Sequence, residues 1–238
     1  MQMNHAAFAR SPALRVSLKR GLARQAIAIA ERTAPDLPGL WRMAAGLRPN
    51  AKALQRLASR IKGHRGVTRV ALARDGRGLA LTARAVRQVE ARAEGQTVFH
   101  ETGLIYLRAQ VALARGVTTI RLCAVSFCGH ALERLVERSD LPLEAALLPR
   151  VDAEAQAIFR GWERSALILD EGDEYYPAAT PGVWAGGHDE MAPDPDWNLI
   201  PDGAPMLPMF SARTFLSPDQ MRPAVWLRWR DDPACRIL

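Results

Sequence analysis

The chain has 238 residues, 48% of them apolar and 24% charged, proportions ordinary for a globular protein and inconsistent with wholesale disorder. Its apolar runs are short and interrupted by Arg, so no transmembrane helix is expected, and no charged-then-apolar leader opens it. The net charge of +7 is uneven: residues 1–120 hold 21 Lys/Arg against 6 Asp/Glu, and residues 121–238 hold 11 against 19.

Residues 5–33 read as a helix. Leu14, Leu18 and Leu22 recur every four residues with Ile29 further along, while Arg15, Lys19, Arg20 and Arg24 occupy the other faces. Pro35 and Pro38 break the pattern. A second helix is predicted from Asn50 to Ile61, with Leu54, Leu57 and Ile61 beside Lys52, Arg56 and Arg60. Lys62 stands with these basic residues, and Arg65 follows in the linker-like Gly63-His64-Arg65-Gly66. Residues 1–74 thus carry 15 basic and 2 acidic side chains, which repel one another unless phosphates, anionic lipid or an acidic surface lies nearby. An Arg-rich, acid-poor start also fits a mitochondrial transit peptide, but the Ala- and Arg-heavy composition points to a GC-rich bacterial genome and a cytoplasmic location.

The pattern then turns extended. Val67–Arg74 and Gly78–Arg84 flank Asp75-Gly76-Arg77, a hairpin signal, and Val86–Ala93 is compatible with a helix. Thr97–Leu113 and Val117–Phe127 read as strands, although Ala109–Ala114 suits a helix equally well. Gly129 precedes a helix at His130–Ser139, and Pro142 is expected to start another that reaches Arg160. Short strands are predicted at Ser165–Asp170, Gly182–Ala185, Met209–Leu216 and Ala224–Arg230, with Asp189–Asp202 a loop. In the last strand Trp226, Arg228 and Arg230 would share one face, with Leu227 and Trp229 on the other. The expected fold class is α+β: a basic helical segment over 1–66, then an α+β domain over 67–238 with a mixed, mainly antiparallel sheet. Two domains and one extended domain fit equally well.

Cys123, Cys128 and Cys235 form neither a disulfide framework nor a zinc motif, and read as buried thiols. The acids of Asp170-Glu171-Gly172-Asp173-Glu174 and the group His188-Asp189-Glu190 have ligand chemistry, but consecutive acids in a Gly-containing turn read better as a solvated loop. Ser126 and Ser211 lack a nucleophile-elbow context, and no P-loop or dinucleotide fingerprint occurs. No cofactor and no metal site is expected.

The most distinctive stretch is Gly129–Ser139. On a helix, Ala131, Leu132, Leu135 and Val136 share one face, and His130, Arg134 and Arg138 form a ridge opposite, flanked by Glu133 and Glu137. The positive end of the helix dipole disfavours protonation of an imidazole in the first turn, and two guanidiniums along the ridge suit a phosphate. A base with a guanidinium clamp is a minimal set for metal-free RNA cleavage. The same spacing also describes an ordinary solvated helix face, with Arg134 paired to Glu137.

His130-Ala131-x-x-Arg134-x-x-Glu137-Arg138, followed by Leu141, Pro142, Leu143 and Glu144, resembles the opening helices of a bacterial domain family of unknown function. That family is usually grouped with the small BrnT- and RelE-like ribonuclease toxins. The resemblance covers roughly residues 125–230 and implies a second helix and then a small antiparallel sheet. It also implies that Arg213 and Thr214 of Ala212-Arg213-Thr214-Phe215-Leu216 join His130, Arg134 and Arg138 in the catalytic set. The chain departs from such toxins in its basic N-terminal half and in its acidic loop.

The expectation is therefore a nucleic-acid-binding protein of ribonuclease-like character. Its basic contacts would be Arg15, Lys19, Arg20, Arg24, Lys52, Arg56, Arg60, Lys62 and Arg65. The alternative is a non-catalytic interaction protein whose basic helices dock on an acidic partner or a second copy. Peripheral attachment of residues 10–30 to anionic lipid ranks last, because that helix lacks aromatic anchors.

Overall fold

A computed structural model describes residues 12–45, 50–93, 96–114, 117–142, 145–192 and 206–236. Among them are six α-helices and eight strands: α1 (Pro12–Arg32), α2 (Leu37–Ala45), α3 (Ala51–Ile61), β1 (Val67–Leu72), β2 (Gly78–Ala93), β3 (Gln96–Ala114), β4 (Val117–Cys128), α4 (Gly129–Arg138), α5 (Leu147–Glu163), β5 (Ile168–Asp170), β6 (Asp173–Pro177), β7 (Val183–Met191), β8 (Leu207–Leu216) and α6 (Pro223–Asp231). The class is α+β. Residues 5–11 of the first predicted helix, Leu143 and Glu144, and most of the acidic loop lie outside the described residues.

Local chemistry sets the boundaries. The first helix ends at Arg32, before Pro35, and helical structure resumes in α2. The Asp36 carboxylate accepts from the Gly39 amide at 2.9 Å, and Pro38 stands in the first turn, where a missing N–H breaks no helical bond. Asn50 caps α3 by accepting from Ala53 N at 2.8 Å. Gly76, at φ +67°, closes the β1–β2 turn.

The eight strands form one sheet in the order β1-β2-β3-β4-β8-β7-β6-β5. Every neighbouring pair is antiparallel except β4 and β8. Val86–Ala93 is strand rather than helix: Val86 pairs with Leu104 and the hairpin continues to Ala93 opposite Gln96. A full ladder with β3 overrides the helical propensity of the Ala and Arg residues.

Helices cover both faces. Ala23, Ala26 and Ala30 of α1 join Leu132 and Leu135 of α4 and Ile158 of α5 over Tyr106, Phe127 and Phe210. On the opposite face Leu37, Leu40, Leu54 and Leu57 of α2 and α3 pack on Leu79, Ile105, Leu107 and Met209. The helices of residues 12–61 therefore have no core of their own. Burying a leucine such as Leu54 contributes roughly 1.5–3 kcal/mol, and here the sheet supplies the surface.

The segment read as a strand ending in Arg230 is helix α6. Trp226, Arg228 and Arg230 share no pleat; instead Arg230 lies over the Trp226 ring at 4.2 Å, one helical turn away. Val225 of α6 packs with Tyr175 and Val183. Between Ala185 and Gly186 the β7–β8 register slips, so that Arg213 is the unpaired residue of a bulge. A Cβ on Gly186 would collide with the Ser211 carbonyl and the Phe210 ring.

Candidate functional site

Helix α4 begins where β4 stops. Cys128 caps it, its Sγ accepting from Ala131 N at 3.4 Å, and Ala131, Leu132, Leu135 and Val136 are buried as the periodicity requires. On the ridge, Arg134 Nε donates to His130 Nε2 at 3.1 Å and Arg134 Nη1 donates to Glu137 at 2.6 Å. His130 is exposed.

Arg138 belongs to a different arrangement. Its Nη1 donates to the Phe215 carbonyl at 2.7 Å and to Thr214 Oγ1 at 3.3 Å. The β4–β8 pairs end at Phe127 and Ala212, so α4 stands where β4 would have continued, and the guanidinium serves a strand carbonyl left without a partner. Burial, and secondarily Arg134, lower the Arg138 pKa. Arg138 also borders a cleft of about 650 Å³ with Arg150, Thr180, Ser217 and Asp219.

Arg213 does not join the ridge. Its guanidinium lies where a side chain on Gly187 would stand. Gly187 alternates along β7 with His188, which packs against Phe210 and Tyr176 on the α5 side. Arg213 is therefore on the other face of the sheet. The structure brings together His130, Arg134 and Glu137, ties Arg138 to Thr214, and leaves Arg213 apart.

The basic residues also fall on two faces. On α1, Lys19 Nζ donates to the Glu137 carbonyl at 3.5 Å and Arg20 lies 3.7 Å from Glu133; Arg24 is exposed, and Arg15 lies in the first turn of the same helix. Lys52, Arg56, Arg60, Lys62 and Arg65 are exposed on or just beyond α3, on the opposite face. Gly76 of the β1–β2 turn faces Ala51 at the α3 N-terminus, which places Arg74 and Arg77 beside this helix. Residues 50–77 carry eight Lys/Arg and one Asp.

The interior holds three charged networks that composition does not reveal. Glu154 is fully buried. Its carboxylate accepts from the backbone of Ala179 (2.7 Å) and Thr180 (2.8 Å), from the Thr180 hydroxyl and from Trp184 Nε1 (3.0 Å). Arg84 meets both oxygens of Asp152 at 2.6 Å, and Tyr106 donates to Asp152 at 2.8 Å. Burial, then the Asp152 charge, push the Tyr106 phenol well above its usual range. Arg108 lies 2.8 Å from Glu163 and 5.2 Å from the centre of the Phe159 ring.

The other acidic candidates resolve into two local networks. Asp170, Glu171 and Asp173 converge on Arg222 at 3.3, 2.6 and 3.4 Å. Glu174 accepts from His188 Nδ1 at 2.6 Å, leaving His188 Nε2 3.3 Å from the Tyr176 hydroxyl. Among the described residues no three potential ligands cluster as a metal site. Burial pushes the thiols of Cys123, Cys128 and Cys235 up to about 11, so they are poor nucleophiles at neutral pH. Among the described residues no helix is long and apolar enough to cross a membrane. No protein-family model matches the chain, and no curated protein or solved structure is significantly similar to it.

Proposed function

We propose that the protein binds nucleic acid, and that the contact is made by α3 with the β1–β2 turn. The observation that carries this reading is a run of cations with almost no anions among them. Lys52, Arg56 and Arg60 recur every four residues on the exposed side of α3, Lys62 and Arg65 extend them, and Arg74 and Arg77 flank the start of the helix. No carboxylate among the described residues lies within ion-pair distance of them, whereas Arg20 on α1 faces Glu133. Unpaired cations at helical spacing suit the phosphate repeat of a nucleic-acid backbone, and their contacts carry no sequence information.

The narrower reading, RNA cleavage at His130, rests on the resemblance of the α4 ridge and on the exposed imidazole beside Arg134. Comparing cleavage of a mixed RNA pool by wild type and His130→Ala tests it. Loss of cleavage with unchanged melting supports it; no cleavage by wild type removes it.

For binding, the measurement is fluorescence anisotropy of labelled single-stranded and duplex oligonucleotides across a salt series. Affinity should fall steeply with salt. Replacing Lys52, Arg56 and Arg60 together by Gln should reduce the log–log slope by about 2–3, at roughly 0.7–0.9 for each phosphate no longer neutralised. Absence of binding at low salt, or an unchanged slope in the triple variant, overturns the proposal.

A further inference from the structure

Two rows of residues cross the sheet on the face that carries α5. Arg69 pairs with Thr82, Thr82 with Arg108 and Arg108 with Cys123. In the next row on this face, Ala80 pairs with Gln110 and Gln110 with Arg121. The C-terminal turn of α5 lies above them with Phe159, Trp162 and Glu163, and a cavity of about 220 Å³ opens between helix and sheet.

The charge in this place is unbalanced. Arg108 has a side chain only 9% exposed, and its Nε and Nη1 are buried with no hydrogen-bond partner. Arg160 Nε is likewise buried and unpartnered. Burial lowers the Arg108 pKa, with Arg69 adding to the effect, and Arg160 is lowered by burial and then by Arg69, Arg164 and Arg108. Against these cations stands Glu163, 41% exposed, whose one oxygen Oε1 serves both Arg108 Nη2 at 2.8 Å and Gln110 Nε2 at 2.6 Å. Buried donors without acceptors are costly; an anion entering from the cavity would meet Arg108 at Nη2 in place of Glu163, and a small shift of the guanidinium toward it would bring the orphaned donors within reach.

We propose that this cavity binds a small organic anion, with an anionic oxygen group carried on a flat ring. The oxygen group takes donors of Arg108 and displaces Glu163, which is exposed enough to swing into solvent. The ring lies along Trp162, whose indole is fixed edge-to-face against His188 with centroids 5.0 Å apart. Arg121 stands exposed among the lining residues as a second cation for the incoming charge. The site is independent of the α3 surface, which packs on the other face of the sheet.

The test is calorimetric titration of the full chain with phenyl phosphate, benzoate, inorganic phosphate and, as a neutral control, benzyl alcohol. At least one ring-bearing anion should bind, more tightly than inorganic phosphate, and benzyl alcohol should not. The preferred member of the phenyl phosphate and benzoate pair identifies the group as phosphate ester or carboxylate. Arg108→Met should weaken binding at least about tenfold, the loss expected when a charged hydrogen-bonding partner is removed. Glu163→Ala removes the competing carboxylate and should tighten binding several-fold, which a purely structural Glu163 would not do. Failure of both ring-bearing anions to bind, unchanged binding by Arg108→Met, or weaker binding by Glu163→Ala overturns the proposal.

Discussion

Arg84 and Arg108 stand on the same face of the sheet, and each side chain is 9% exposed, but their surroundings differ. Arg84 has both oxygens of Asp152 and the Thr33 hydroxyl at 3.1 Å, and Tyr106 completes the carboxylate. Arg108 shares one Glu163 oxygen with Gln110 and leaves Nε and Nη1 without partners, whereas Arg84 leaves only Nε so. Equal burial therefore does not imply an equal role. The first arginine joins α1, β2, β3 and α5 into one body, and the second is held by a single half-exposed carboxylate beside a cavity.

Removing the partner is the strongest way to break this comparison. Asp152→Ala leaves Arg84 buried and uncompensated and should cost about 3–5 kcal/mol, measured by urea unfolding. A cost below about 1 kcal/mol, the scale of an exposed ion pair, would put the two arginines in the same class.

The same network predicts an alkaline limit. The folded-state pKa of Tyr106 is raised, so its contribution is fully present below the unfolded value near 10 and is lost as pH climbs toward the folded value. Stability should fall by up to about 1.4 kcal/mol per pH unit for that one proton above pH ~10. Tyr106→Phe should flatten this slope, which melting curves from pH 8 to 11 would show, and an unchanged slope would remove Tyr106 as its source.

The smallest effect is expected at the second arginine. Arg108→Met, without ligand, should melt within a few degrees of wild type or above it, because an incompletely paired buried cation is replaced by an apolar side chain of similar length. A loss above about 3 kcal/mol would show that Arg108 is as structural as Arg84.

Much of the fold is legible where a local pattern and the tertiary partner agree. The Asp75-Gly76-Arg77 turn specifies the first hairpin, and the four apolar positions of α4 specify its buried face. Val86–Ala93 suits a helix when read alone, because the ladder partner that makes it a strand lies across the hairpin. Trp226-Leu227-Arg228-Trp229-Arg230 satisfies both a pleat and a helical i,i+4 pair, and Pro223 at the helix start is the deciding signal. Of the ridge on α4, spacing reveals His130 beside Arg134. The service of Arg138 to a strand end 77 residues away cannot be read locally, and neither can the bulge that carries Arg213 to the other face. The Arg108 cavity is invisible in the sequence because Arg108 and Glu163 meet only when α5 lies across β3.

The parallel contact of β4 with β8 has a kinetic consequence. Among the described residues it is the only parallel pair in the sheet, and it joins Ala124–Phe127 to Met209–Ala212 across 85 residues. On either side of it the strands are antiparallel neighbours, and β1 to β4 follow one another in the chain. The strands β1–β4 and β5–β7 can each close through short turns, and β8 joins β7 only across residues 192–206. The seam closes only after α4 and α5 have crossed over, because distant pairing loses loop entropy before any contact rewards it. Refolding should therefore pass through a stage in which β1–β4 are protected from hydrogen exchange while β8 is still open. Until the seam zips, the free edges of β4 and β8 are open to strands of other chains.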